Sequence, residues 1–283
     1  MQDAFAHCSE LVRSADRDRF LAALFAPVQH RDALLALYAF NIEVARVREV
    51  AREALPGEIR LQWWREVLSG ERGEEASANP VAAALLGAIE RQRLPTGKLI
   101  DLIEARRFDL YDEPMVGIAD LEAYARRTSA IVIDAAAQIL GVDEQPAADP
   151  AGIAYGITGL MRAFPLHAAR HQLYLPTDLL AIHGVDPRQI FAGQSSAGLN
   201  AAFAELRKLA RRYLAAAHER IMALPRDAHP AFLPVALVRP WLDRLERSDA
   251  FAPAEISPWR RQWLIWRAAR NPARIADNFP APK

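Results

Sequence analysis

The chain has 283 residues, with 35 basic and 35 acidic side chains and a formal net charge of zero at pH 7. This balance gives no electrostatic basis for binding nucleic acid, so nucleic acid is not expected among its partners. Cys8 is the only cysteine, which excludes an intrachain disulfide and a thiolate metal cluster and fits a reducing compartment.

Apolar residues recur at helical spacing along most of the chain. The spacing predicts a first helix over residues 8–26, ended by Pro27, and an amphipathic second helix over residues 31–52 that no glycine or proline interrupts. The polar residues 71–78 are predicted to be a loop. Further helices are predicted over residues 57–70, 80–92, 96–114, 118–140, 151–171, 177–183, 196–224, 229–247 and 258–270.

No repeat and no convincing strand pattern interrupts these helices. The sequence therefore predicts a single all-α domain over residues 1–283, with residues 1–14 and 273–283 at its periphery. No uninterrupted apolar stretch reaches the roughly 18 residues that a membrane-spanning helix needs. We expect a cytoplasmic protein whose contact with the inner membrane, if it has one, is peripheral.

The predicted helix 151–171 stands out because it contains Gly152, Gly156, Gly159 and Pro165. Small residues let a second helix or a ligand approach the backbone closely. The proline is expected to kink the helix or to end it.

Four short motifs occur in a characteristic order: YAF at 38–40, RRFDLYD at 106–112, DLEAYARRT at 120–128, and a glycine-rich helix that leads into LYLP at 173–176. In order and spacing the chain resembles the squalene and phytoene synthase family from about Arg19 to Arg267. The resemblance implies an isoprenoid-synthase-type helical bundle with a central cavity. Typical members transfer prenyl groups by joining two prenyl diphosphates head to head.

The same resemblance implies a metal site, from which this sequence departs. Members of the family hold Mg²⁺ and the diphosphates with two pairs of carboxylates, each pair spaced four residues apart on a helix. The first pair corresponds to Ala45 and Glu49, and the second pair to Ala163 and His167. Three of the four carboxylates are missing, so no metal and no cofactor are expected. Mg²⁺ would be needed only if the chain were a working prenyl transferase.

Three segments, AFNIEVARVRE at 39–49, LQWWREVL at 61–68 and LMRAFPLHAARHQLYLP at 160–176, resemble a non-classical branch of the family. A mitochondrial assembly factor for respiratory complex I typifies that branch. The resemblance implies a non-catalytic helper with complex I subunits as partners. Two alternatives stay open: a prenyl transferase with a rebuilt diphosphate site, and a carrier of an apolar lipid or isoprenoid.

The candidate catalytic residues are Glu43, Glu49, Arg162 and His167, and the candidate substrate-binding residues are Tyr38, Arg46, Arg162 and His167. In the prenyl transferase alternative, arginine would neutralise the diphosphate in place of Mg²⁺. The competing interpretation of both glutamates is an ion pair with Arg46, Arg48 or Arg52 on the same helix. The competing interpretation of His167 is a hydrogen-bonded interior side chain.

Three other groups of residues have both a functional and a structural interpretation. The acidic residues Asp109, Asp112 and Glu113 could bind a metal, but a solvated helix end is the favoured interpretation. Tyr38, Phe40, Trp63 and Trp64 line an apolar channel or form ordinary core. The segment 258–270 combines three tryptophans with four arginines, as an interfacial membrane helix does, unless the tryptophans pack onto the bundle.

Overall fold

The computed structural model describes residues 2–51, 53–142 and 146–277, which fold into helices and connecting segments without a strand. The all-α prediction is therefore confirmed. No helix in these ranges is long and apolar enough to cross a membrane. The α-helices are α1 (Gln2–Ala15), α2 (Arg17–Ala23), α3 (Val28–Ala45), α4 (Val47–Val50), α5 (Ala54–Leu68), α6 (Gly73–Ala78), α7 (Pro80–Gln92), α8 (Thr96–Arg106), α9 (Ile118–Ala125), α10 (Ile131–Ile139), α11 (Ala148–Ala169), α12 (Thr177–Ile182), α13 (Pro187–Phe191), α14 (Ala197–Met222), α15 (Val238–Glu246) and α16 (Pro258–Arg270).

Three 3₁₀ segments and one π-helical turn complete the helical structure of the described residues. The 3₁₀ segments are Arg107–Leu110, Arg226–Leu237 and Pro272–Arg274, and the π-helical turn is Arg126–Ala130. The predicted helices 96–114 and 118–140 are thus shorter or less regular than expected. The predicted loop 71–78 is wrong, since most of it forms α6.

The chain divides into two compact units. Unit 1 comprises Met1–Tyr111, Ile131–Gln145 and Leu224–Pro234, and unit 2 comprises Asp112–Ala130, Pro146–Ala223 and Val235–Lys283. The single-domain interpretation over residues 1–283 and the central cavity stay predictions.

Helix α3 is the centre of unit 1. It packs against α1, α7 and α10, and every residue from 33 to 42 is buried. A helix that is apolar on all sides belongs in the interior, so the amphipathic helix that we expected here is a core helix. Its large buried side chains Tyr38 and Phe40 form core together with Trp64 of α5, and the rings of Phe40 and Trp64 lie edge to face at 5.1 Å.

Residues 2–14 of the expected peripheral segment 1–14 belong to α1, which packs against α3 and α7. It brings Cys8 and Val12 into the core, where both are fully buried. Burial, reinforced by the negative charge of Asp32, raises the pKa of the Cys8 thiol to about 12. At the other end, Ile275 and Ala276 are also buried, and residues 278–283 of the expected peripheral tail lie outside the described residues.

The predicted continuous helix 31–52 is wrong, because the chain leaves helical geometry at Arg46. This residue has φ −95° and ψ 6° and separates α3 from the single turn of α4. The predicted last residue, Arg52, lies outside the described residues.

Helix α11 is the centre of unit 2 and packs against α9, α14, α15 and the π-helical turn. A side chain at Gly152 would overlap the backbone of Ala130, and a Cβ at Gly156 would lie 3.0 Å from the Cβ of Ala125. These glycines therefore permit close packing, as the sequence suggested. Pro165 lies inside α11, which continues to Ala169.

Candidate functional site

In unit 1, the positions of the first carboxylate pair lie on either side of the break at Arg46. Ala45 is the last residue of α3, and Glu49 belongs to α4. Two side chains four residues apart share a helix face only when the helix between them is continuous. The break therefore makes the spacing of these two positions irregular, in addition to the alanine at the first of them.

Glu49 forms an ion pair with Arg46 at 3.1 Å, as the competing interpretation expected. The two side chains are 38% and 54% exposed, respectively. An ion pair in such an exposed position contributes under about 1 kcal/mol to the free energy of unfolding. The arrangement is that of a surface ion pair.

Glu43 forms an ion pair with the guanidinium group of Arg60 on α5. Among the described residues the expected pairing with Arg46 or Arg48 is not found, and Arg52 lies outside them. The ion pair joins two helices that are far apart in the chain, which sequence spacing alone does not reveal. Glu43 thus has a structural partner within unit 1.

Tyr38 is buried, and the guanidinium carbon of Arg19 lies 5.6 Å from the centre of its ring. Arg19 is itself held by Asp16, whose carboxylate accepts a hydrogen bond at 3.0 Å. This cation–π contact positions a buried arginine inside unit 1. The substrate-binding role that we predicted for Tyr38 and Arg46 stays a prediction.

In unit 2, Arg162 of α11 lies over the ring of Trp241 on α15, with the guanidinium carbon 3.6 Å from the ring centre. Trp241 is 4% exposed. Its indole N–H is buried and has no acceptor among the described residues. The stacking fixes the plane of the guanidinium group, which favours directed binding of an anion.

Arg162 and Ala163 line a pocket of about 640 Å³, which we call the Arg162 pocket. Gly159 and Trp241 also line this pocket. Its lining further includes the positively charged Arg261 and the negatively charged Glu255. One position of the second carboxylate pair therefore faces an open pocket that carries arginines. Sequence analysis missed Trp241, Glu255 and Arg261 as members of this group, because they lie far from Arg162 in the chain.

His167 lies in different surroundings. Its ring contacts that of Tyr174 at 4.5 Å between centres, and Tyr174 contacts Tyr124 at 5.5 Å. His167 follows Arg162 by five residues, which on an α-helix is a rotation of about 140° beyond one full turn, so the two side chains point in different directions. His167 is not among the residues that line the Arg162 pocket, so the structure does not bring these two candidates together there.

The residues present do not fit a synthase-type magnesium site. Among the described residues, no group of three or more His, Cys, Asp or Glu side chains could hold a metal ion. Asp109, one member of the acidic cluster, is buried and pairs with Arg106 at 3.2 Å. The interpretation of the cluster as a solvated helix end is therefore wrong for this residue. Asp112 and Glu113 are exposed.

Helix α16 has the bounds that the sequence predicted. Trp259 is 81% exposed, and Trp263 and Trp266 are 50% and 48% exposed, so none of the three rings is buried in the core. We call these three residues the tryptophan face. The guanidinium carbon of Arg267 lies 5.0 Å from the centre of Trp263, and that of Arg270 lies 5.1 Å from the centre of Trp266.

Comparisons with known proteins agree with the motifs. The sequence model for squalene/phytoene synthase matches residues 12–267. The chain is 30% identical to a Rattus norvegicus protein named NADH dehydrogenase (ubiquinone) complex I, assembly factor 6, over 87% of this chain and 75% of that protein. It is 25% identical to a phytoene synthase of Rhodobacter capsulatus over 93% of this chain and 80% of the enzyme.

Among solved structures, a dehydrosqualene synthase in complex with ligand superposes with a TM-score of 0.82 at 17% sequence identity. The superposition covers 95% of this chain and 96% of the synthase. The fold is therefore the all-α isoprenoid synthase fold. Since the family match spans most of the chain, this protein belongs to the squalene/phytoene synthase family.

Proposed function

We propose that this protein is a non-catalytic assembly factor for respiratory complex I and works at a membrane surface. The feature that carries the proposal is that Ala45, Ala163 and His167 stand where the family resemblance implies metal-binding carboxylates, on a chain that has the synthase fold. The similarity to relatives named as complex I assembly factors supports the same conclusion.

The chemistry of the replaced positions supports a function without metal-assisted ionisation. Mg²⁺ prefers several oxygen ligands around one ion. Glu49, the one carboxylate that is kept, is paired with Arg46 beyond a break in the helix. In this proposal the protein needs no cofactor, and its partners are complex I subunits and the membrane surface.

Helix α16 supports the membrane contact. Its residues 258–270 contain four arginines and no acidic residue, and the tryptophan face is exposed. Indole rings settle at the headgroup level of a bilayer, and arginines attract anionic lipid. The protein would thus meet the membrane through α16 without crossing it.

The test is deletion of the gene in the organism that encodes this chain, followed by measurement of assembled complex I and of its NADH oxidation. We expect both to fall, and to return when the wild-type gene is supplied. The variant Glu49→Gln should restore them equally well, because the proposal gives this carboxylate no catalytic role. Unchanged complex I in the deletion strain would contradict the proposal.

A prenyl transferase is the second candidate, and one observation favours it. Arg162 and Arg261 line a pocket next to Ala163, so two guanidinium groups stand near a position of the lost carboxylates. Arginine can bind a diphosphate by paired hydrogen bonds. Mg²⁺ would then be a cofactor only if release of diphosphate required it.

This second candidate is tested with the purified protein and farnesyl or geranylgeranyl diphosphate, with and without Mg²⁺. Release of diphosphate with formation of a condensed hydrocarbon, abolished in Arg162→Gln, would establish the transferase. No release under either condition would remove it.

A further inference from the structure

A second pocket of unit 2 lies beside the tryptophan face. It has a volume of about 430 Å³ and is lined by residues of α14, α15, α16 and the segment that follows α16. We call it the α16 pocket. Its lining includes four arginines and two apolar side chains, Arg239, Arg260, Arg267, Arg274, Trp263 and Leu264.

The two carboxylates of this pocket are already neutralised. Asp277 pairs with Arg274 at 2.8 Å and with Arg239 at 3.5 Å. Asp243 pairs with Arg211 at 3.0 Å and with Arg239 at 3.7 Å. These ion pairs hold the inner arginines in place without leaving a carboxylate to repel an incoming anion.

Arg260 and Arg267 of α16 have a different environment. In the described part of the chain neither forms an ion pair with a carboxylate, and Arg267 lies instead against the ring of Trp263. Seven residues, about two helical turns, separate them, so they lie on the same side of α16. The pocket therefore has two guanidinium groups whose charge is not balanced by a carboxylate of the described residues.

The position of these arginines on the helix suggests where the anion comes from. Ile265 and Ala268 form the buried side of α16, and the tryptophan face is on the opposite side. At about 100° per residue, Arg260 and Arg267 lie between these two sides. When the indole rings of a helix enter the headgroup region of a bilayer, side chains on the flank just above these rings meet the lipid phosphates.

We propose that the α16 pocket binds the phosphate of an anionic phospholipid headgroup, whose acyl chains stay in the bilayer that the tryptophan face enters. Arg260 and Arg267 bind the phosphate oxygens, and Trp263 and Leu264 contact the glycerol region. The inference rests on the membrane contact proposed above and adds recognition of a lipid class.

The first experiment measures binding of the purified full chain to vesicles of phosphatidylcholine and to vesicles that also contain phosphatidylglycerol. We expect a clear preference for the anionic vesicles. The matched variants are Arg260→Gln and Arg270→Gln, since both remove one exposed arginine of α16 and only Arg260 lines the pocket.

Loss of one surface arginine weakens binding to anionic vesicles about fivefold, which is the effect expected for Arg270→Gln. Arg260→Gln should weaken binding on the order of fiftyfold, because a charge-assisted hydrogen bond is lost as well. Equal losses in the two variants would overturn the headgroup site while leaving the membrane contact intact. Absence of binding to both vesicle types would remove the membrane contact and the site, but not the genetic result on complex I.

The second experiment identifies the source of the phosphate. Dihexanoyl phosphatidylglycerol below its micelle concentration should shift the indole N–H resonance of Trp263 and leave that of Trp259 unchanged. Dihexanoyl phosphatidylcholine and inorganic phosphate should have little effect at the same concentration. An equal shift with inorganic phosphate would indicate a free-phosphate site and would overturn the lipid assignment. The assignment would also be overturned if variants of the tryptophan face lost complex I assembly but still bound vesicles, because the face would then not be the membrane contact.

Discussion

The two pairs of positions to which the family resemblance assigns metal ligands lie in different surroundings. At Ala45 and Glu49 the helix itself is interrupted, and the charges that are present form ion pairs on the protein. At Ala163 the helix α11 is continuous, and the residue faces an open pocket that arginines line. The first pair spans an irregular turn, whereas the second pair lies on a continuous helix with one of its positions facing an arginine-lined pocket.

The difference lies in the backbone at one pair of positions and in the charge around the other. A pocket beside a continuous helix can bind an anion when arginines supply the positive charge that a metal ion would supply. A ligand bound at these former metal positions should therefore be sought at Ala163, in the Arg162 pocket, and the following predictions test this contrast.

The largest effect is expected for Trp241→Ala, which removes the aromatic support of Arg162. Truncation of a buried tryptophan costs about 3–5 kcal/mol of unfolding free energy. The exposed Trp259 provides the control, since Trp259→Ala should change stability by no more than about 0.5 kcal/mol. Urea unfolding followed by circular dichroism measures both variants. A Trp241→Ala variant as stable as the control would contradict the supporting role of this ring.

The next effect concerns the close packing that keeps α11 in place. Gly152→Ala puts a methyl group into the backbone of Ala130, and overpacking of this kind costs about 1–3 kcal/mol. At Gly159 of the same helix, no atom of a neighbouring segment lies within 4 Å of the place that a Cβ would take. Gly159→Ala should therefore stabilise the protein by up to about 1 kcal/mol through helix propensity. Thermal unfolding of the two variants should shift in opposite directions, and shifts of the same sign would refute this account of the helix contact.

The smallest effect is expected when one arginine near each pair of positions is replaced and the losses of unfolding free energy are compared. Arg162→Gln removes a partly buried cation–π contact and should cost about 1–2 kcal/mol. Arg46→Gln removes an exposed ion pair with Glu49 and should cost under about 1 kcal/mol. If added salt lowers the unfolding free energy of the wild type and of Arg46→Gln to the same extent, the ion pair contributes nothing measurable to stability. If Arg46→Gln is the more damaging change, the contrast between the two pairs of positions is wrong.

The sequence predicted the features that local patterns determine. The predicted helices 80–92 and 196–224 begin at residues that the structure shows to be capped: Asn79 accepts hydrogen bonds from the backbone N–H groups of Val81 and Ala82, and Ser196 accepts one from the backbone N–H of Leu199. Helix α16 and its tryptophan and arginine pattern were also found. In each case the signal is contained within a few consecutive residues.

The features that the sequence did not reveal depend on packing between distant segments. No glycine or proline marks the break at Arg46, so periodicity alone extended the helix through it. The partner of Glu43 is Arg60 on another helix. The Arg162 pocket combines residues of α11, α15 and α16 with the segment that precedes α16, and no short motif could bring these positions together.

Three of the six tryptophans of the chain lie on the exposed side of α16. The intrinsic fluorescence of the unlabelled protein is consequently weighted toward this one surface, whereas Trp64 and Trp241 are buried in the interior. Dissolved acrylamide should quench the exposed half of the emission, and transfer of these rings to a less polar medium should move the emission maximum to shorter wavelength. The protein thus carries its own optical probe of whatever α16 meets.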